Sequence, residues 1–425
     1  MTERIEALLK KAEGISDYKI NTVNTESYEL FFVHRELETV RSTDTTDIKV
    51  TVFALHDGKL GDASFSVYSS YSDEKIAEEI NCAKKKAMLV SNEVYSLPEN
   101  ETAYIESDSN FASYKPEELG ALMAEAVFAA DCYEGGSINA LEIFIYKDTV
   151  SVKNSRGINK TEVKHRAMIE AIPTWNGENE SAELYECHNF TEFSFDAVKA
   201  EIATKMCEVR DRFYAKKPEE KLSCPVVLAA PELDNLFNEI AYELDFGGVY
   251  SRSNAYSKGD AIQKEPTGDK LTITMQGKIK NSPASASFDA DGVELRSREI
   301  IKDGSAVAYF GNIRYASYLG EEATGALGCL KAECGTMSEN ELRSRPYFRC
   351  ASMSGLQVDI YNDYIGGEVR LAYYFDGERE IPVTGISISG KLSECLSEMR
   401  LSEEKTVYES YCGPKFAYFS KIEIV

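Results

Sequence analysis

The sequence predicts an α+β protein in two parts: an N-terminal mixed α/β region of antiparallel sheets with packed helices, and a C-terminal antiparallel, β-rich, barrel-like domain. Three observations carry this. Short runs in both halves alternate apolar and polar residues, the signature of half-buried strands. One stretch instead places Phe195, Val198, Ile202, Met206, Val209 and Phe213 at steps of three and four, which puts all six on one side of a helix. Between the halves, Lys216-Lys217-Pro218-Glu219-Glu220-Lys221 has the composition of a linker. The expected domains are therefore 1–215, divisible into 1–100 and 101–215, the linker 216–221, and 222–425.

In order along the chain, a short N-terminal helix precedes strands at Tyr28 to Val33 and Asp47 to Leu55, the second with Ile48, Val50, Val52 and Ala54 alternating. Asp57-Gly58 supplies a hairpin turn into Ala63 to Tyr68, because glycine accepts the positive φ such turns need. A helix from about Asp73 to Val90 packs on this meander. Lys115-Pro116-Glu117-Glu118 starts another helix, with proline in the first turn, running to Ala130. Leu141 to Tyr146 and Thr149 to Lys153 predict a hairpin around Lys147-Asp148, and Asn154-Ser155-Arg156-Gly157 the next turn. Past the linker, strands are expected at Pro225 to Ala229, Lys270 to Met275, Val369 to Phe375 and Pro382 to Ile388. Turns fall at Asp291-Gly292 and Asp376-Gly377, and helices near Leu233 to Leu244 and Lys391 to Met399.

Composition narrows the function. A chain of 425 residues is too long for one ordinary core, and 43% hydrophobic residues are ample for packing, so disorder is excluded. A net charge of -24 repels a phosphate backbone and no Lys/Arg cluster reverses it locally, so no direct nucleic-acid partner is expected; the acidity permits a weak bias toward basic peptides. No run approaches the ~20 apolar residues that cross a bilayer. Glu3 and Glu6 interrupt the start where a signal peptide would be apolar, and ten scattered cysteines form no disulfide framework. The expected location is the cytoplasm, without membrane attachment.

Several blocks of the second half resemble the TldD/PmbA family, historically labelled modulator of DNA gyrase. These are Phe288-Asp289-Ala290-Asp291-Gly292-Val293 with Lys302-Asp303-Gly304, then Tyr315 through Ala323-Thr324-Gly325. Asp376-Gly377-Glu378 to Ile381-Pro382-Val383, followed by Ile388-Ser389-Gly390-Lys391-Leu392, is the third. Tyr28-Glu29-Leu30-Phe31-Phe32 and Asn154-Ser155-Arg156-Gly157 extend the resemblance more loosely into the first half. In the family's TldD-type subunits a HExxxH motif lies on the helix after a Pro-Val-Val-Leu-like strand. Here Pro225-Val226-Val227-Leu228 precedes that helix, bringing the six positions onto Asn238-Glu239-Ile240-Ala241-Tyr242-Glu243.

Both histidines are gone from those positions. Catalytic zinc needs imidazoles or carboxylates as fixed ligands and an open water position. Asn238 is a poor ligand, Glu239 is a vestigial base without an activated water, and Glu243 stands five residues on, roughly 140° around a regular helix. Leu233, Leu236, Phe237, Ile240 and Leu244 define the buried face, which leaves Asn238 and Glu239 on the solvated side. His34, His56, His165 and His188 have no metal-ligand spacing, Cys187-His188 side chains point apart, and Cys329 and Cys334 have no second close pair. Family metal subunits use a cysteine near the C-terminus, but the surroundings of Cys412 do not match that setting, and a buried thiol is expected.

The resemblance thus implies a PmbA/TldE-type subunit with no confident catalytic residue and no cofactor of its own, zinc being expected in a partner. That partner would be a TldD-like subunit, or the chain would pair with itself as a dimer, around a peptide or unfolded protein substrate. Two other readings stay open at this point: a stand-alone metallopeptidase with an atypical metal site, and a non-enzymatic peptide-binding scaffold.

Overall fold

The computed structural model describes residues 1–425. Helix α1 (Thr2–Lys11) leads into a meander of β1 (Asp17–Val33), β2 (Glu36–His56) and β3 (Lys59–Val67), followed by α2 (Asp73–Ala87). Ile5 and Leu9 of α1 and Ile76 and Ile80 of α2 are buried with Ile20, Val50 and Val52. The β2–β3 turn has φ of 48° at Asp57 and 70° at Gly58, the left-handed pair a two-residue hairpin requires. The β1–β2 turn does the same with His34 (47°) and Arg35 (71°), without a glycine. From this turn β2 pairs along the whole length of β1, so both strands run beyond the expected Tyr28–Val33 and Asp47–Leu55. The extra stretch of β2 is almost wholly exposed and mostly polar, so no alternation announces it.

The first half continues with β4 (Thr102–Glu106), α3 (Pro116–Ala129), β5 (Gly136–Asn154), β6 (Asn159–Asn176), β7 (Ser181–Glu183), β8 (Glu186–Phe190) and α4 (Phe195–Tyr214). One eight-stranded sheet runs β3-β2-β1-β5-β6-β4, with β7 and β8 also on β6. Leu119, Met123 and Val127 of α3 and Val198, Ile202 and Met206 of α4 share its second core. The hairpin expected at Lys147-Asp148 does not exist; β5 passes straight through. Asp148 is buried there, accepting from Thr25 Oγ1 at 2.7 Å and Arg166 Nε at 2.7 Å, while Lys147 meets Glu26 at 2.8 Å. Flanking strands on both sides satisfy a polar pair that in isolation reads as a turn.

The second half contains β9 (Val226–Ala229), α5 (Ala230–Tyr242), α6 (Phe246–Ser251), β10 (Ile273–Gln276), β11 (Arg298–Lys302), β12 (Ser305–Ala306), α7 (Ile313–Leu319), β13 (Cys329–Ala332), α8 (Glu339–Leu342), β14 (Tyr347–Met353), β15 (Gln357–Asp359) and β16 (Tyr364–Phe375). It ends with β17 (Glu380–Val383), β18 (Ile386–Gly390), α9 (Leu392–Glu398), β19 (Arg400–Leu401), β20 (Lys405–Tyr408), β21 (Tyr411–Pro414), β22 (Phe416–Phe419) and β23 (Glu423–Ile424). A six-stranded sheet runs β12-β11-β10-β13-β21-β20. A nine-stranded one runs β19-β22-β9-β14-β16-β18-β23, with β15 and β17 also on β16. One sheet of the molecule curls like half a barrel, and the α+β expectation holds. Two details differ. β9/β14 and β13/β21 pair in parallel within an otherwise antiparallel half. The run Pro382 to Ile388 is two strands, broken where Gly385 takes φ 70°.

The largest buried cluster is drawn wholly from Val226 onward, and the next two wholly from residues up to Met206. Residues 216–221 lie between them, outside any helix or strand apart from a single bridge of Lys216 to Val383. The halves meet through smaller patches. Tyr95 stacks edge-on against Tyr318 at 6.0 Å, and Arg314 lies 5.2 Å over Tyr95 while pairing with Asp62 at 2.8 Å. Buried Glu162 accepts from Ser287 N at 3.0 Å and Ser287 Oγ at 2.6 Å across the boundary.

Candidate functional site

Strand β9 is buried at Val226, Val227 and Leu228 and runs directly into α5, whose first turn carries Pro231, where a missing N–H costs nothing. Leu233, Leu236, Phe237, Ile240 and Leu244 are all fully buried, as their spacing predicts. The helix ends at Tyr242, with Glu243 as its C-cap. The six motif positions therefore occupy its last turn and cap.

Asn238 differs from the expectation of a solvated residue. It is half-buried, and Nδ2 donates to the carbonyl of Asp234 at 2.9 Å and to Asp234 Oδ1 at 2.6 Å. Ser410 Oγ donates to the same carboxyl at 3.3 Å. Glu239 is exposed and makes no intramolecular hydrogen bond or ion pair. Glu243 Oε2 accepts from the Ala255 amide and lies 3.1 Å from the Tyr361 hydroxyl, which also reaches Ser253 O at 2.6 Å.

Glu239 and Glu243 line a groove of about 570 Å³ together with Asn235, Tyr361, Tyr364 and the strand β15. That strand pairs only with β16. The wall thus offers main-chain groups, three carboxylates and two phenols, a set suited to holding an extended chain by hydrogen bonds. It offers no imidazole and no thiol. His56 Nε2 is spent on Val90 O at 2.8 Å, His188 stacks on Phe190 at 5.1 Å, and His34 occupies a hairpin turn. His165 lines a separate cleft between the halves. Cys412 is buried with Ile279 and Cys329, away from the groove. No group of three or more His, Cys, Asp or Glu converges as ligands would. The donors present do not fit zinc: Asn238 is turned to Asp234, and Glu243 holds an amide.

Behind the helix lies a second acidic group that the motif alignment did not reveal. Burial pushes Asp234 up to about 6, with Glu409 adding to it, and pushes Glu232 up to about 7. Across the boundary Glu186 is also raised to about 7, chiefly by burial, although Lys205 lies 3.4 Å away. Glu208 is raised by burial too; its Oε2 sits 3.1 Å from Lys205 without hydrogen-bond alignment. The Asp234–Asn238 pair has the i, i+4 spacing of facing helical residues and was readable from sequence. Tyr361 and β15 reach the site only through the fold.

Fold and groove together define an α+β protein with a carboxylate-lined groove at the end of α5. Residues 221–424 match the model of the PmbA/TldA metallopeptidase C-terminal domain. The second half of the chain thus carries the C-terminal domain of the TldD/PmbA family. Metalloprotease PmbA of Escherichia coli O157:H7 is 28% identical over 179 residues, 41% of this chain; the match spans 39% of that relative's length. TldE from Thermococcus kodakarensis superposes with a TM-score of 0.80 at 16% identity, covering 99% of this chain and 100% of that one. A protein from Thermotoga maritima described as a modulator of DNA gyrase gives 0.78 at 16% identity, covering 100% and 99%.

Proposed function

We propose that this chain is the metal-free, PmbA/TldE-type subunit of a cytoplasmic TldD/PmbA-type metallopeptidase. A HExxxH-bearing, TldD-like partner supplies zinc and hydrolysis. This chain supplies a second wall that holds an unfolded peptide in extended form. The observation that carries the reading is the engagement of the motif positions: Asn238 is tied to Asp234 and Glu243 to Ala255. Glu239 alone faces the groove free, and a lone carboxylate cannot generate a metal hydroxide. The fold shared with TldE along nearly the whole chain supports the same assignment.

The formal charge of -24 supports a reading without direct DNA contact. The test is one purification followed by metal analysis and a cleavage assay on an unfolded protein, with and without a histidine-bearing relative. Zinc-dependent cleavage only in the mixture is expected. Cleavage by the isolated chain that a chelator abolishes would refute the assignment.

A further inference from the structure

Strand β4 is the outermost strand of the eight-stranded sheet and pairs, in parallel, only with β6. Glu101 O accepts from Asn159 N and Ser107 N donates to Val163 O, both at 2.9 Å, which fixes the phase of the ladder. Ala103 and Ile105 share that phase. The main-chain groups of Thr102, Tyr104 and Glu106 therefore point away from β6, where no strand receives them.

The space beside this edge differs on its two faces. Ala103 and Ile105 point into a cleft of about 750 Å³ between the halves, where Phe288 and Leu295 form the apolar part of the wall. Tyr104 and Glu106 point the other way, into a hollow of about 770 Å³ lined by Tyr28, Tyr114, Tyr146 and Glu117. A strand added to β4 would send alternate side chains into these two spaces. The first takes small aliphatic groups against Phe288 and Leu295 within an otherwise polar wall; the second, where Glu26, Asp44, Glu106 and Glu117 outnumber Lys147, takes cations beside its aromatic rings.

We propose that the free edge of β4 is a peptide-docking site that adds an extended segment of alternating apolar and basic residues as a further strand of the sheet. This rests on the peptide-holding role above and assigns that role a second place, apart from the α5 groove.

The probe is a fluorescein-labelled octapeptide of alternating valine and lysine, titrated against the full chain by anisotropy. Binding is expected to slow amide exchange at Thr102, Tyr104 and Glu106. Tyr104→Pro removes an outward N–H without touching the β6 ladder and should weaken binding about tenfold, the equivalent of one or two hydrogen bonds. Two versions of the peptide, N-methylated on alternate amides in opposite phases, test the pairing on the unmodified protein. One phase should lose binding about tenfold and the other should keep it. Equal binding of both phases, or protection confined to Gln357–Asp359, would overturn the site. So would a Tyr104→Pro effect on self-association alone. Partner-dependent cleavage with no peptide protection at β4 removes this inference and leaves the subunit role standing. Protection at β4 with no cleavage in any mixture does the reverse.

Discussion

Asn238 sits where the resemblance aligns a metal ligand, and its amide serves the fold. Its Nδ2 satisfies a carboxyl on Asp234 that burial has already raised to about 6. Replacing it with leucine removes that partner and leaves a half-buried acceptor with only Ser410, a loss of about 1 kcal/mol read as a lower urea midpoint at unchanged slope. Glu239→Gln should change stability by no more than about 0.5 kcal/mol, because the side chain is exposed and unpaired. If Glu239→Gln instead abolished cleavage by the isolated chain, the metal-free assignment would fall. Neighbouring positions on one helix thus answer to different demands, the first to packing and the second to whatever enters the groove.

At the scale of elements, close approach rather than propensity sets the positions of the helices on the first sheet. Gly61 in β3 has an ordinary backbone, yet a Cβ built there would lie 1.8 Å from the carbonyl of Ala87 and 2.6 Å from that of Val90. Main-chain atoms at the end of α2 cannot step aside as a flexible side chain would. Gly61→Ala should therefore cost about 1–3 kcal/mol by overpacking and free the end of α2, seen as faster exchange of the Met88 and Leu89 amides. Retained stability in that variant would show that α2 is loosely seated. The continuous β5 follows a related logic. A polar dipeptide stays inside a strand because both neighbouring strands supply partners for its side chains.

For the whole molecule, the boundary between halves is polar, which makes it sensitive to pH. Glu186 and Glu232 hold their protons up to about 7 in the folded protein, whereas in the unfolded chain they ionise near the ordinary glutamate value of 4.5. Between those values the native state binds more protons, so stability from these groups is complete below about 4.5 and is lost as pH rises to about 7. The drop in melting temperature from pH 5 to pH 8 should shrink in Glu186→Gln, and an unaltered drop would show that burial there is relieved by water. Glu162 works at a different point, accepting two hydrogen bonds from Ser287. Glu162→Ala should loosen the halves, with faster proteolysis in residues 216–221 than in the wild type. Equal cleavage would place the coupling in the Tyr95–Tyr318 and Arg314–Asp62 contacts instead.

The sequence by itself determined the α+β class, the amphipathic α4 and α5, and the glycine turns at Asp57-Gly58 and Asp376-Gly377. These follow from local periodicity and φ requirements, which neighbours in sequence are enough to express. Only the tertiary structure decided that Lys147-Asp148 lies within a strand, that β9 and β14 run parallel, and that Glu243 is held by Ala255 and Tyr361. It also decided that Lys205 and Glu208 approach Glu232 from the other half. Each depends on partners tens to hundreds of residues away in the chain, and burial, which moves their proton affinities, exists only once those partners have closed around them.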